Sequence, residues 1–329
     1  MKTVRLGNSD LDVTRVILGT WALGGWMWGG TDPNEPVEAI KASLDRGVTT
    51  IDTAPIYGFG LSEELVGKAV QGRRDEVVVA TKFGMRWDRD DGEFFFKTDN
   101  GPDGRPTEIY RNAKKDSIME ECEHSLRRLG VDVIDLYQCH WPDKTTPEEE
   151  TMEALLTLQQ QGKIRWFGVS NFDVPQMKRC QAVAPLTSLQ PPYSLLQRGI
   201  EDEILPYCRQ NDIGVIVYSP MYRGLLTGKF TQDYEFGPGD TRAQDSWFNG
   251  EKLDRVNRVL DEVVRPIADG HGASPAQVSV AWCLAQPGVT AALVGARNTE
   301  QAESNARAAE IDLSGEEVKR IGDAFAELK

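Results

Sequence analysis

Apolar residues along this chain follow two alternating rhythms. Short runs rich in β-branched residues are each followed by a longer stretch in which apolar residues recur at helical spacing, almost to the C-terminus. The runs at 16–20, 49–53, 77–82, 133–140, 164–170, 187–190, 214–219 and 290–295 predict eight strands. Ahead of them, V-R-L-G-N-S-D-L-D-V-T-R sets two short runs either side of Gly-Asn-Ser and predicts a β-hairpin. Helix punctuation fits the intervening stretches: Pro36 opens one that closes near Gly47, Pro147 opens one ending before Gly162, Ser274 and Pro275 start another, and a last helix covers 314–328.

Eight successive βα units predict an α/β fold closed into a parallel (β/α)8 TIM barrel with the hairpin in front. An open doubly wound sheet has the same periodicity and is the competing architecture. Barrels of this kind exceed the usual domain size and no linker is visible, so residues 1–329 read as one domain; two domains is the other arrangement the length allows. The connections 84–107 and 230–250 are longer than the rest. Both follow C-terminal ends of predicted strands, where long loops usually carry function.

Charge narrows the partners. With 51 acidic against 37 basic residues the formal net charge is −14 and the pI near 4.8, which disfavours nucleic acid and anionic membrane surfaces. Cys122, Cys139, Cys180, Cys208 and Cys283 are odd in number and form no C-x-x-C pair; this argues against a disulfide framework or structural zinc and fits a reducing cytoplasm. The N-terminus M-K-T-V-R-L-G-N has no apolar signal segment, and no run of about 18 apolar residues occurs, so a soluble, unprocessed chain is expected.

Candidate chemistry sits at strand ends. Asp52, Lys82 and His140 close successive predicted strands, and Tyr57 follows Asp52 by five residues in I-D-T-A-P-I-Y-G. In a barrel these side chains converge on one mouth. A free tyrosine, with a pKa of about 10, is a poor acid near neutrality, and an adjacent ammonium is expected to lower that value; Lys82 supplies the charge and Asp52 compensates it. His140 is placed to donate a hydrogen bond to a carbonyl oxygen. Taken singly, each has a plainer role: a cap, a packing aromatic, a surface charge, a structural histidine. Joint placement is what points to chemistry.

The set resembles the aldo-keto reductase superfamily along essentially the whole chain. The segments that carry the resemblance are V-I-L-G-T-W at 16–21, I-D-T-A-P-I-Y-G at 51–58, A-T-K at 80–82, D-L-Y-Q-C-H-W-P-D at 135–143, G-K-I-R-W-F-G-V-S-N-F at 162–172, Y-S-P at 218–220 and V-G-A-R-N-T-E-Q at 294–301. G-T-W-A-L-G-G-W-M-W-G-G and Y-Q-C-H-W-P-D look most like its bacterial general-stress or sugar-aldehyde reductase branch. The resemblance implies a tetrad of Asp52, Tyr57, Lys82 and His140, with Tyr57 as general acid in reduction and general base in oxidation.

No G-x-G-x-x-G follows a strand, and R-G-L-L-T-G-K-F at 223–230 has the wrong spacing for a phosphate loop, with Phe230 in place of a magnesium-binding hydroxyl. The resemblance instead implies NADP(H) extended across the barrel mouth. Gly19, Thr20, Trp21 and Asp52 are counted among its contacts. Ser170, Asn171 and Gln190 look like the residues that hold the carboxamide, Tyr218 like the ring stacked on the nicotinamide, and Ser219, Pro220, Leu225, Gly228 and Lys229 like the loop over the pyrophosphate. Gly295, Arg297, Gln301 and Asn305 resemble the adenosine end, and Lys229 and Arg297 are cations suited to a 2′-phosphate. Q-A-E-S-N at 301–305 departs from the family, with Ser304 where glutamate is common.

A small carbonyl substrate is expected: a sugar-like or glyceraldehyde-like aldehyde, an aromatic aldehyde or a ketose. Trp21, Trp28, Trp87 and Trp141 are the candidate walls among the aromatics, which also include Trp26 and Phe94 to Phe96. Two other readings stand beside this one: an NADP-binding regulatory subunit resembling potassium-channel β subunits, and a Schiff-base lyase built on Lys82.

Overall fold

In a computed structural model describing residues 1–28 and 35–328, eight parallel strands close on themselves: β1 Val16–Gly19, β2 Thr50–Asp52, β3 Val78–Phe83, β4 Ile134–Cys139, β5 Ile164–Ser170, β6 Ser188–Gln190, β7 Gly214–Tyr218 and β8 Ala291–Gly295. Each strand pairs with the next in sequence and β8 pairs back to β1, which decides for the barrel over the open sheet. Gly29 and Gly30, which end the glycine-rich segment begun at Gly19, lie outside the described residues.

Helices fill the connections where the punctuation placed them, as in Glu35–Asp45, Glu148–Gln160 and Pro275–Leu284. Ser274 caps the last of these through a capping box with Gln277, and Ser314 does the same with Glu317 for Gly315–Ala326, satisfying backbone N–H groups that a helix start leaves open.

Which way each strand residue points is set at the closed end of the barrel. Ile17, Ala80, Leu136, Ile216 and Ala291 pack inward against Leu6, Leu11 and Val13 from the hairpin of Thr3–Arg5 and Asp12–Thr14. Val16, Leu18, Val79, Tyr137, Val215, Val217 and Ala292 belong to the outer layer against the helices. Side chains alternate with a period of two, so the hairpin plug fixes what faces the interior two residues further on: Gly19, Lys82, Gln138 and Tyr218. The apolar floor thus aims the polar residues above it.

Sequence and structure differ at the first long connection. Residues expected to be loop over 84–107 build a three-stranded antiparallel sheet, in the order Met85–Arg86, Thr107–Arg111, Glu93–Thr98, beside the open end of the barrel. The 230–250 connection contains only short 3-10 turns, Thr241–Gln244 and Ser246–Phe248.

Candidate active site

Asp52 ends β2, Lys82 is the penultimate residue of β3, and His140 follows β4 directly. Strand order brings all three to the same end of the barrel. Lys82 is fully buried, and its Nζ donates to Asp52 Oδ1 at 2.5 Å, to the Thr53 carbonyl at 3.1 Å and to the Tyr57 hydroxyl at 3.5 Å. The Tyr57 ring lies edge-on to the His140 imidazole with centroids 5.7 Å apart, and Trp21 is stacked against it at 6.1 Å. The four residues expected to work as a unit are in contact.

Electrostatics correct one expectation. Burial raises the Tyr57 phenol well above its ordinary value, and the negative charge of Asp52 raises it further. The predicted lowering by Lys82 does not prevail, because that ammonium is met at 2.5 Å by Asp52 and both groups are dry. Burial likewise presses Lys82 below its ordinary value, opposed by Asp52 and then Glu63. His140 is pushed well below the usual imidazole range by burial and then by the charge of Lys82, so it stands neutral, with one ring N–H to donate. The site offers a protonated phenol and a neutral imidazole to the same small space.

The residues expected to hold a carboxamide are brought together but turned toward one another. Ser170 Oγ donates to the Gln190 carbonyl at 2.7 Å, and the Asn171 amide donates to Ser170 Oγ and to the His140 carbonyl, each at 3.0 Å. Tyr218 donates its hydroxyl to Asn171 Oδ1 at 2.9 Å. Gln190 Nε2 donates to Asp52 Oδ2 at 2.8 Å, which leaves Oε1 as the acceptor that its amide offers. Asn171 and Ser219, directly after β5 and β7, hold φ of 64° and 56°, in the left-handed region that side chains other than glycine rarely adopt.

At the β7–β8 side of the mouth, Leu225 and Pro220 are buried, so Leu225 contributes its side chain to the core and not to a surface. Gly228 ends the turn Leu225–Thr227 with φ of 73°. The Lys229 ammonium is pushed down by partial burial and then by the positive charges of Arg242 and Arg297, which places three cations within electrostatic reach of one another. Gly295 lies in register with Gly19. Gln301 and Asn305, expected at an adenine, instead bind their own turn: Gln301 Oε1 accepts from the Arg297 N–H and Asn305 Nδ2 donates to the Gly295 carbonyl, both at 2.9 Å. Ser304 accepts from Gln277 through its carbonyl at 2.7 Å and its hydroxyl at 3.2 Å.

The candidate walls divide in two. Trp28 meets Trp21 edge-on at 5.4 Å beside Tyr57, whereas Trp87 and Trp141 pack into a second aromatic cluster with Phe59, Phe95 and Phe96 that also touches Tyr57. Buried Nε1 atoms of Trp21 and Trp28 have no hydrogen-bond partner among the described residues. Thr20 packs behind them, its hydroxyl donating to the Asp52 carbonyl at 3.0 Å.

Sequence reasoning passed over several residues. Arg242 is held in a fork by Asp240, lies 4.7 Å over the Trp28 ring, and its neighbour Thr241 donates its N–H to the Met27 carbonyl at 3.4 Å, tying the 230–250 connection to the β1 loop. Nothing in the sequence marked that contact. Gln138, fully buried, reaches Asp52 Oδ2 at 3.4 Å. Its signal was legible: the only amide of this run stands two residues before His140 and shares its inward parity, whereas Asp135 has the opposite one.

Comparison with known proteins shows the family. Residues 15–325 match the description "Aldo/keto reductase family". The chain is 42% identical over 323 residues to the aldo-keto reductase YhdN of Bacillus subtilis (strain 168), covering 98% of this chain and 92% of that one. It is 39% identical over 320 residues to an NADH-specific methylglyoxal reductase of Escherichia coli (strain K12), covering 95% of each. Among solved structures, a glycerol dehydrogenase from Gluconobacter oxydans superposes with a TM-score of 0.87 at 40% identity, covering 99% of this chain and 95% of that one. An aldo/keto reductase from Klebsiella pneumoniae in complex with NADP and acetate superposes with a TM-score of 0.72 at 32% identity, covering 98% and 95%.

Proposed function

The chain belongs to the aldo/keto reductase family, and from that premise we propose that it is an NADP(H)-dependent reductase of small aldehydes and ketones, sugar-like or aromatic, with Tyr57 as the proton donor. The observation that carries the proposal is the convergence of Tyr57, Lys82, Asp52 and His140 at the barrel mouth, with the phenol 3.5 Å from the ammonium and the ammonium 2.5 Å from the carboxylate.

The residues present fit a nicotinamide dinucleotide. Gln190 Oε1, with Ser170 and Asn171, suits a carboxamide; Lys229, Arg242 and Arg297 suit phosphates; and the half-buried Tyr218 ring offers a stacking face. When bound in reduced form, the nicotinamide supplies the hydride. Everything else falls to the chain. The His140 N–H polarises the carbonyl oxygen and fixes its approach; the Tyr57 hydroxyl gives its proton to that oxygen as the negative charge develops; Lys82 and Asp52 hold the phenol in place. The aromatic walls and buried surroundings exclude water from the proton path. Five free, buried cysteines suit a reducing compartment, and we place the protein in the cytoplasm.

The test follows NADPH absorbance at 340 nm with glyceraldehyde and with a nitrobenzaldehyde. Wild type is expected to turn over, and Tyr57→Phe to lose at least ~100-fold in kcat while still quenching tryptophan fluorescence on binding NADPH. NADPH binding without turnover of any carbonyl, or a Tyr57→Phe variant as active as wild type, would falsify the reductase reading.

A further inference from the structure

We infer that Gln138 is a positioning residue for the reaction: together with Ser188 it forms a buried amide cradle that holds the second oxygen of Asp52 and so fixes the ion pair beside Tyr57. This deepens the reductase reading and rests on it.

Register makes the cradle possible. Lys82 on β3 pairs with Gln138 on β4, Gln138 pairs with Gly168 on β5, and Gly168 pairs with Ser188 on β6, so the four lie on one level of the barrel interior. A Cβ on Gly168 would sit 2.1 Å from Ser188 Oγ and 2.6 Å from the Ser188 carbonyl. Glycine there leaves the gap through which the Gln138 amide meets the hydroxyl of a strand two removed, at 3.3 Å. Gln138 and Ser188 are both fully buried.

Chemistry fixes which way the amide points. A carboxylate only accepts, so the atom of Gln138 facing Asp52 Oδ2 at 3.4 Å is Nε2, and Oε1 takes the Ser188 hydroxyl. Asp52 then receives Lys82 on Oδ1 and two amides, Gln138 and Gln190, on Oδ2. The cradle matters because a carboxylate free to rotate would no longer hold Lys82 Nζ where it reaches the phenol. Two donors on Oδ2 also draw charge away from Tyr57, whose proton the negative charge of Asp52 otherwise holds back. The other titratable groups facing the pair are His140 across the phenol ring, Tyr218 from β7, and Glu63, bound to Thr81 and Arg128 behind β3.

Four variants test the cradle in carbonyl reduction by the full chain. Gln138→Leu, of similar volume, is expected to lower kcat about tenfold with the Kd for NADPH and the KM for the carbonyl within about twofold of wild type. Ser188→Ala is expected to lower kcat by a smaller factor, and the double variant to be no worse than Gln138→Leu alone, because both changes disable one device. Gln138→Glu introduces a carboxyl that donates to Asp52 only when protonated, so its activity is expected to fall with rising pH in a limb absent from wild type; a role in packing alone predicts no such limb. Unchanged kcat in Gln138→Leu, additive losses in the double variant, or a wild-type pH profile for Gln138→Glu overturns the inference alone. Wild type that turns over no carbonyl overturns the reductase reading and the inference with it.

Discussion

A phenol that gives up its proton in the reaction is here more reluctant to do so than a phenol in water. Burial, and then the charge of Asp52, push Tyr57 well above its ordinary value of 10.0. The sign follows directly: the protonated form needed for carbonyl reduction persists through neutrality, and the phenolate needed for alcohol oxidation accumulates only in strong alkali. The kcat/KM for reduction at saturating NADPH is therefore expected to stay flat from about pH 6 to about pH 9, and that for oxidation to rise with pH over the same range without a plateau. His140, already neutral below that window, contributes no inflection to it. A descending limb near pH 7 in reduction would show that one of the two residues titrates where burial says it does not. The positions of these residues were legible in the sequence, because strand parity and strand ends are local signals. Their electrostatics were not, since the competition between Lys82 and Asp52 over Tyr57 depends on distances and dryness that spacing does not carry. Arg242 was missed for a related reason: Asp240 and Arg223 lie in its own connection after β7, but Trp28 comes from the loop after β1 and meets it only through the fold.

Strands and helices were legible where burial on both faces leaves a mostly apolar run, as in β4, every residue of which is buried and only Asp135 and Gln138 of which carry an acid or amide. The small sheet over 85–111 was not, because Glu93–Thr98 is exposed or half-buried along most of its length and carries three successive phenylalanines instead of an alternating pattern. What joins that sheet to the barrel is Gly84, at φ 87°, whose N–H donates to both oxygens of Glu121 at 3.0 and 3.2 Å. Burial raises the Glu121 carboxyl to about 7, with Arg86 and the Gly84 N–H opposing. A carboxyl raised on folding stabilises the fold fully below its unfolded value, near 4.5, and loses that contribution as the pH climbs through 7. Glu121→Gln keeps an acceptor for Gly84 without the charge. It is expected to raise Tm relative to wild type at pH 8, by an amount corresponding to about 3 kcal/mol, with the difference shrinking toward pH 5. Equal Tm differences at both pH values would mean that the carboxyl does not titrate in this range and that the junction is insensitive to its charge.

Across the whole molecule a net charge of −14 opposes the approach of a dinucleotide that itself carries several negative charges, yet Lys229, Arg242 and Arg297 gather on one side of the mouth. A concentration of positive charge against the sign of the rest implies a local demand, and a 2′-phosphate is the part of the proposed cofactor that creates one. Lys229 and Arg297 are the two of these cations that the family resemblance sets along the cofactor, and we propose that they discriminate the 2′-phosphate. Lys229→Ala and Arg297→Ala are each expected to raise the KM for NADPH about tenfold while leaving that for NADH within about twofold, so that the preference between cofactors collapses. Equal losses with both cofactors would place the cluster on the shared pyrophosphate instead. A wild type that prefers NADH, as the name of the methylglyoxal reductase implies for that relative, would remove NADP(H) from the proposal while leaving the tetrad, and the reaction it performs, as they stand.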